Sequence, residues 1–242
     1  MPEIQSLARG LKILDLLAQS ESGLGIREVA SELGVNKSSA LRMLQTLSAY
    51  GFTERNDLSF KYSLGFHVVS LGRIVLSRIP LREIARPYLK KLVDQTGECA
   101  HLGILLKDRV LYIDQVESPA TLRVNAEVGQ TAPLHCTALG KVILAFSDCP
   151  IPSKMQAFTQ NTLVNSERLQ KNLKKIQEQG YAEDEEEFDL GVRCLAVPVF
   201  DFRKKLVGSI GISGPASRLT SPKIRELSFV IRELGKELSS RV

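Results

Sequence analysis

Residues Ile26–Gly51 read IREVASELGVNKSSALRMLQTLSAYG. Ile26, Val29, Ala30 and Leu33 recur at three- and four-residue steps, which marks one face of a short helix. Gly34 follows, a residue that tolerates positive φ and so turns the chain. Asn36 is a good N-cap for a second helix, whose apolar face is Ala40, Met43, Leu44 and Leu47. Gly51 lies just past its end, as a helix stop should. Two short helices about a tight turn are a helix-turn-helix unit. In such a unit the second helix leads with its N-terminal residues into the major groove of DNA.

The flanks extend this unit. Upstream, Ile4, Leu7, Leu11, Leu14 and Ala18 share a helical stripe that SESGLG (Ser20–Gly25) ends. Downstream, FTERNDLSFKYSLG (Phe52–Gly65) alternates weakly and turns around Asn56–Asp57, as a small hairpin does. The first 65 residues are therefore expected to form a winged helix-turn-helix domain. Ser38, Arg42 and Gln45 share the helix face opposite the core. Arg42 suits a guanine edge and Gln45 an adenine edge. Lys37 and Ser39 flank them as phosphate contacts, with Arg55 and Lys61 on the hairpin and Arg9 and Arg27 near helix starts as further candidates. A winged helix used for protein contacts, with its arginines merely solvated, is the competing expectation.

From Ser63 to Gly97 the pattern is helical and interrupted by Pro80 and Pro87, predicting one helix near 66–78 and another near 81–96. Residues 66–80 form the expected linker. Phe66, Val69, Leu71, Ile74 and Val75 make an apolar stripe with little to bury against in so small a unit. A self-association surface is expected there, because operators are commonly read by two-fold pairs.

After Gly97 the texture changes. CAHLGILL, RVLYIDQV and TLRVNA (Thr121–Ala126) look like strands. PLHCTALGKVILAF turns into a helix, and SERLQKNLKKIQEQG is another. RCLAVPVFD and KLVGSIGIS are two strands joined by a charged turn, and Ser221–Val242 is a closing amphipathic helix. Strands flanked by helices imply an α+β class, with 81–242 as the second domain.

The chain has 242 residues, 43% of them hydrophobic and 24% charged. No stretch approaches the ~20 apolar residues that cross a bilayer, and the N-terminus lacks the pattern of a signal peptide. Four dispersed cysteines without a CxxC pair suggest reduced thiols in a cytoplasmic protein. The net charge is +5, yet residues 1–65 carry seven basic and seven acidic side chains, so pattern rather than bulk charge points to DNA. The excess sits at Arg73, Arg78, Arg82, Arg86, Lys90 and Lys91.

Chemical motifs are sparse. There is no G-x-S-x-G elbow, no phosphate loop and no dinucleotide fingerprint. His67, His101 and His135 lack metal-ligand spacing, so neither a metal nor a cofactor is expected. Thr137 can cap a helix beginning at Ala138, whose first amides near Ala138, Leu139 and Gly140 would form an anion site at the positive end of the helix dipole. Residues Glu183–Asp189 crowd six carboxylates into seven positions. An acid-processing enzyme using Asp184, Glu186 or Cys194, or a thiol redox regulator using Cys194, would be alternatives from a different class.

PLHCTALGKVILA (Pro133–Ala145), GYAEDEEEFDLGVRCLAVPVFD (Gly180–Asp201) and GSIGISGPASRLT (Gly208–Thr220) together resemble the signature blocks of IclR-type bacterial transcriptional regulators. ARGLKILDLLAQ (Ala8–Gln19) and Ile26–Phe52 resemble that family's winged helix-turn-helix. The resemblance covers nearly the whole chain. It implies a DNA-binding domain, a linker helix and a GAF-like effector domain, in a dimer or a dimer of dimers, without enzymatic activity. It also implies double-stranded operator DNA and a small organic-acid effector as partners. The implied effector site comprises the amides of Ala138 and Leu139 with Asp184, Cys194 and Ser213. A second serine of the pattern is replaced by Gly211, and Leu139 replaces a smaller residue. Gly211 is expected to leave extra room. Apart from Asp184, the acidic run is expected to be a solvated loop.

Overall fold

The computed structural model describes residues 3–124 and 126–242. The chain divides into two compact units, Met1–Arg78 and Ile79–Val242.

The first unit contains α1 (Gln5–Ala18), α2 (Ile26–Leu33), α3 (Lys37–Ala49), the hairpin strands β1 (Thr53–Arg55) and β2 (Tyr62–Leu64), and α4 (His67–Ser77). Gly34 takes the left-handed conformation at the end of α2, and the Asn36 side chain accepts from Ser39 N to cap α3. A bridge between Leu24 and Tyr62 adds a third extended segment to the wing. Ala40 and Leu44 of α3 pack with Val29 and Ala30 of α2, with Met43 and Leu47 partly covered beside them.

The first helix departs from its expected face. Ile13 and Leu17 are the α1 residues in the core. Ile4, Leu7 and Leu11 are more than half exposed, and Ala18 is exposed as well. Both stripes have helical spacing, so periodicity alone does not tell which one the neighbouring helices cover. None of the residues of α4 is buried. Val69 and Val75 are 67% and 61% exposed, and Phe66 at its start is 78% exposed.

The second unit opens with α5 (Pro80–Thr96), which places Pro80 in its first turn and carries Pro87 inside. A six-stranded antiparallel sheet follows in the order β5-β4-β3-β8-β7-β6. Its strands are β3 (Cys99–Leu106), β4 (Arg109–Val116), β5 (Thr131–Pro133), β6 (Ala182–Glu185), β7 (Val192–Phe200) and β8 (Leu206–Pro215). The helices α6 (Ala138–Phe146) and α7 (Ser166–Gln179) lie between β5 and β6 in sequence, and α8 (Ser221–Ser239) closes the chain. Along β7 the faces alternate. Ala196 belongs to the core with α6 and α7, while Val197 meets Gly235 of α8. The sheet is thus covered on both faces.

Two expectations change here. The described residues of TLRVNA are not a strand; Asn125 lies outside the described residues, and the strand comes later at Thr131–Pro133. The start of the acidic run is a strand, β6, which pairs with β7 at the sheet edge. Asp and Glu are depleted in strands, and here the hydrogen-bonding ladder with β7 overrides that preference. The basic excess after the first unit is also partly neutralised by residues distant in sequence. Arg86 reaches Asp114 at 2.5 Å, and Lys91 reaches Glu237 at 3.5 Å.

The α1 assignment is open to a direct check. Ile13→Ala should destabilise the first unit by about 2–5 kcal/mol through loss of buried volume. Ala18→Ser, on the exposed stripe, should change stability by less than about 0.5 kcal/mol. Urea denaturation of both variants distinguishes the two faces.

Candidate functional site

A cavity of about 140 Å³ lies in the second unit between the sheet and α6. A cavity of about 150 Å³ accommodates benzene, so this one has room for a ligand of roughly six non-hydrogen atoms. All five residues expected at an effector site line it: Ala138, Leu139, Asp184, Cys194 and Ser213.

Two features bring them together. The first is register. Asp184 of β6 pairs with Cys194 of β7, and Cys194 pairs in turn with Ser213 of β8. Directly paired residues point to one face, so the three form a row across the sheet. The second is the start of α6. Thr137 Oγ1 accepts from Gly140 N at 3.2 Å and donates to Pro133 O at 2.7 Å. The Gly140 amide is therefore taken by the cap and does not belong to the anion site that sequence suggested. The amides of Ala138 and Leu139 have no hydrogen-bond partner among the described residues. Gly140 also permits the helix to approach, since a Cβ there would stand 2.5 Å from Leu134 O.

Burial sets the protonation states. Asp184 is 2% exposed, and its carboxyl is pushed up to about 7 mainly by burial. Its Oδ1 accepts from Glu187 N at 2.8 Å. The Cys194 thiol is raised well above its ordinary value by burial and by the neighbouring Asp184. A thiol held protonated is a poor nucleophile. Arg193 does not activate it, because its side chain goes to Ser221 at 3.0 Å and toward Glu186.

The acidic run is not uniformly solvated. Glu187 is 6% exposed and forms an ion pair with Lys141, which is 1% exposed. Glu186 adopts a left-handed φ of 60° and accepts from Gly191 N. Sequence reading missed Glu187 because its partner lies 46 positions away on α6. It also missed His101, Tyr112, Phe188, Val124 and Ala126 as lining residues. The strand pattern of CAHLGILL carried a weak signal for His101, but its face depends on register.

Gly211 does not provide the expected extra room. A Cβ there would lie 2.6 Å from Leu195 O and 2.9 Å from Ala196 Cβ, so the neighbouring strand already occupies that space. Among the described residues no cluster of three His, Cys, Asp or Glu could hold a metal ion. His135 instead hydrogen-bonds Gln156 O at 2.9 Å.

In the first unit, Lys37, Ser38, Arg42 and Gln45 are exposed on α3, and Ser39 is half-buried. Arg9 of α1 lines one groove with Ser39 and Arg42. Arg27 is exposed on α2. Arg55 stacks over Phe60 in the wing, at 4.8 Å from the ring centroid. Lys61 is directed back to Ser22 Oγ at 3.3 Å.

The raised Asp184 value has a testable consequence. Folding favours the protonated carboxyl, so stability should fall as pH rises from about 4 through about 7 and level off above it. The full cost of ionisation is on the order of 4 kcal/mol. Asp184→Asn should flatten that slope relative to the unsubstituted protein, as read by thermal melts across pH.

Known proteins bear on both units. Residues 6–57 match the IclR helix-turn-helix domain, and residues 73–240 match the bacterial transcriptional regulator IclR C-terminal family. The HTH-type transcriptional regulator XynR of Escherichia coli is 33% identical, over 99% of this chain and 97% of its own length. The HTH-type transcriptional regulator BhcR of Paracoccus denitrificans is 36% identical, over 98% of this chain and 86% of its own. The crystal structure of the Thermotoga maritima IclR is 31% identical with a TM-score of 0.75, covering 99% of both chains. That of the Alicyclobacillus acidocaldarius IclR transcriptional regulator is 28% identical with a TM-score of 0.83, again over 99% of both chains. A winged helix-turn-helix ahead of an α+β sheet domain, matched over nearly its whole length, makes this chain a member of the IclR family of DNA-binding bacterial transcriptional regulators.

Proposed function

We propose that this regulator binds its operator through α3 and that a small organic acid in the second unit's cavity sets its operator affinity. The observation that carries the reading is the cavity, which combines two free helix-start amides with the Asp184–Cys194–Ser213 row. The acid's carboxylate sits at the Ala138 and Leu139 amides, where unpaired donors and the helix dipole favour an anion. Its other polar groups face Asp184, Cys194 and Ser213. A carboxylate does not sit against ionised Asp184, because like charges repel. Effector binding favours one arrangement of the DNA-binding units, a coupling typically worth about 1–3 kcal/mol.

On the DNA side, Ser38, Arg42 and Gln45 form the face turned to base edges, while Lys37, Ser39, Arg9, Arg27 and Arg55 contact phosphates. Lys61 contributes less, since it is engaged with Ser22. The chain works as a dimer or a dimer of dimers. The uncovered apolar stripes of α1 and α4 support self-association through the first unit. A thiol redox regulator, or an enzyme using Cys194, gains nothing from a thiol held above its ordinary value.

Operator binding separates the two kinds of DNA contact. Arg42→Ala should cost about 1–3 kcal/mol and relax preference at one base pair. Lys37→Ala should weaken all sequences alike and reduce the slope of affinity against salt. Fluorescence anisotropy with operator and scrambled duplexes reads both, and unchanged preference in Arg42→Ala would remove α3 as the reading helix. Addition of small carboxylic acids to the same assay should shift operator affinity.

Self-association predicts a second outcome. Val69→Asp should convert the assembly toward smaller species in analytical ultracentrifugation and weaken operator binding, although Val69 contacts no DNA in this scheme. A monomer in the unsubstituted protein at micromolar concentration would exclude the paired assembly.

A further inference from the structure

Tyr112 of β4 pairs directly with Gly103 of β3. A Cβ at Gly103 would stand 3.3 Å from Leu139 Cδ1, so this is the sheet face beneath the start of α6. Directly paired residues share a face, and Tyr112 therefore rises from that face. Gly103 offers no side chain to block its ring. The ring packs edge-on against His101, two residues before Gly103 on β3, at a centroid distance of 5.7 Å. Because β3 lies between β4 and β8 in the sheet, Tyr112 is directed from β4 toward the Asp184–Cys194–Ser213 row.

Among the described residues, the hydroxyls of Tyr112, Thr131, Thr137 and Ser213 line the cavity. Three are engaged. Thr131 Oγ1 accepts from Arg109 Nε at 2.9 Å, Thr137 Oγ1 donates to Pro133 O, and Ser213 Oγ lies 2.6 Å from His101 Nε2. The Tyr112 hydroxyl has no hydrogen-bond partner among the described residues, and unlike His101 Nδ1 it is not sealed off from the cavity. Burial raises the phenol above its ordinary value, and nearby Cys194 and Asp184 raise it further. The hydroxyl therefore keeps its proton and stands on the polar side of the cavity. The row offers little competition as a donor. Asp184 Oδ1 is taken by Glu187 N, and the Cys194 thiol, a weak donor, is hydrogen-bonded to Asp184.

We infer, resting on the small-acid reading above, that Tyr112 is a further effector-binding residue, whose phenol donates to an oxygen substituent beside the effector's carboxylate. Polar groups inside proteins are nearly all hydrogen-bonded, and a few well-placed ones fix the orientation of a ligand in a largely apolar pocket. The helix-start amides hold the carboxylate at one end, and the phenol supplies a donor for a 2-oxo or 2-hydroxy oxygen. An acid that lacks this oxygen leaves the phenol unpaired, which is how a hydrogen-bonding site rejects a plain hydrocarbon analogue.

Pyruvate and propionate share a carboxylate and a three-carbon chain and differ in the 2-oxygen. Isothermal titration calorimetry of the full chain should show pyruvate bound at least about tenfold more tightly than propionate. Tyr112→Phe, which removes one oxygen and keeps the ring against His101, should weaken pyruvate by about tenfold and leave propionate within about twofold. Circular dichroism checks folding. The chain has no tryptophan and five tyrosines, so saturating pyruvate should also alter the near-ultraviolet dichroism of the unsubstituted protein, and this signal carries the test should Tyr112→Phe fail to fold. Unchanged pyruvate affinity in folded Tyr112→Phe, an equal loss for propionate, or an unaltered tyrosine signal overturns the inference and leaves the small-acid reading standing. Absence of binding by both acids overturns the inference, whereas absence across a wider carboxylic-acid series overturns the small-acid reading as well.

Discussion

The ion pair between Lys141 and Glu187 is the constraint on which the second unit's cavity depends. Both side chains are buried. Taking two charges out of water is costly, and removing one partner of such a pair leaves an uncompensated charge that costs about 3–5 kcal/mol. Lys141 belongs to the first turn of α6, and Glu187 to the loop after β6. Their pairing ties the helix start that offers free amides to the loop behind Asp184. The backbone of Glu187 reinforces the tie: its N–H donates to Asp184 Oδ1, and its carbonyl accepts from Thr162 Oγ1 at 2.6 Å. Charge that looks solvated in the sequence therefore positions the pocket.

The cavity joins an electropositive helix start to walls whose titratable groups burial shifts toward their neutral forms. Asp184 and Cys194 are both shifted upward by burial, and His101 is shifted downward for the same reason. Desolvation disfavours the charged form in each case. An anion entering such a site meets its attraction at Ala138 and Leu139, and meets hydrogen-bonding groups of low charge elsewhere. That division suits reversible binding of an acid. Burial also holds the Cys194 thiol above its ordinary value.

In the first unit, apolar surface is distributed unevenly. Ile13 and Leu17 of α1 complete a small core around α2 and α3, while Ile4, Leu7 and Leu11 remain uncovered. The whole of α4 lacks a buried residue. A small unit has more apolar residues than one core can cover, and contiguous exposed apolar surface is a recognised mark of interaction sites. Here it lies on α1 and α4 rather than on α3, and Leu7 and Leu11 of α1 share a groove with Ser39 and Arg42.

The local signals in the sequence determined much of this protein. Gly34 and Asn36 delimited the two helices of the DNA-binding motif because a left-handed turn and an N-cap are properties of single residues. The Thr137 cap and the strands containing Cys194 and Ser213 were legible for the same reason, and resemblance to family blocks picked out Asp184. Tertiary structure decided which of two helical stripes on α1 is covered, since periodicity gives a face but not its neighbour. It decided that Gly211 makes no room, because the β7 backbone fills the space. It also decided the meeting of His101 with Ser213, 112 positions apart, and of Lys141 with Glu187. Strand register and long-range packing create those contacts, and neither is written in any short stretch of residues.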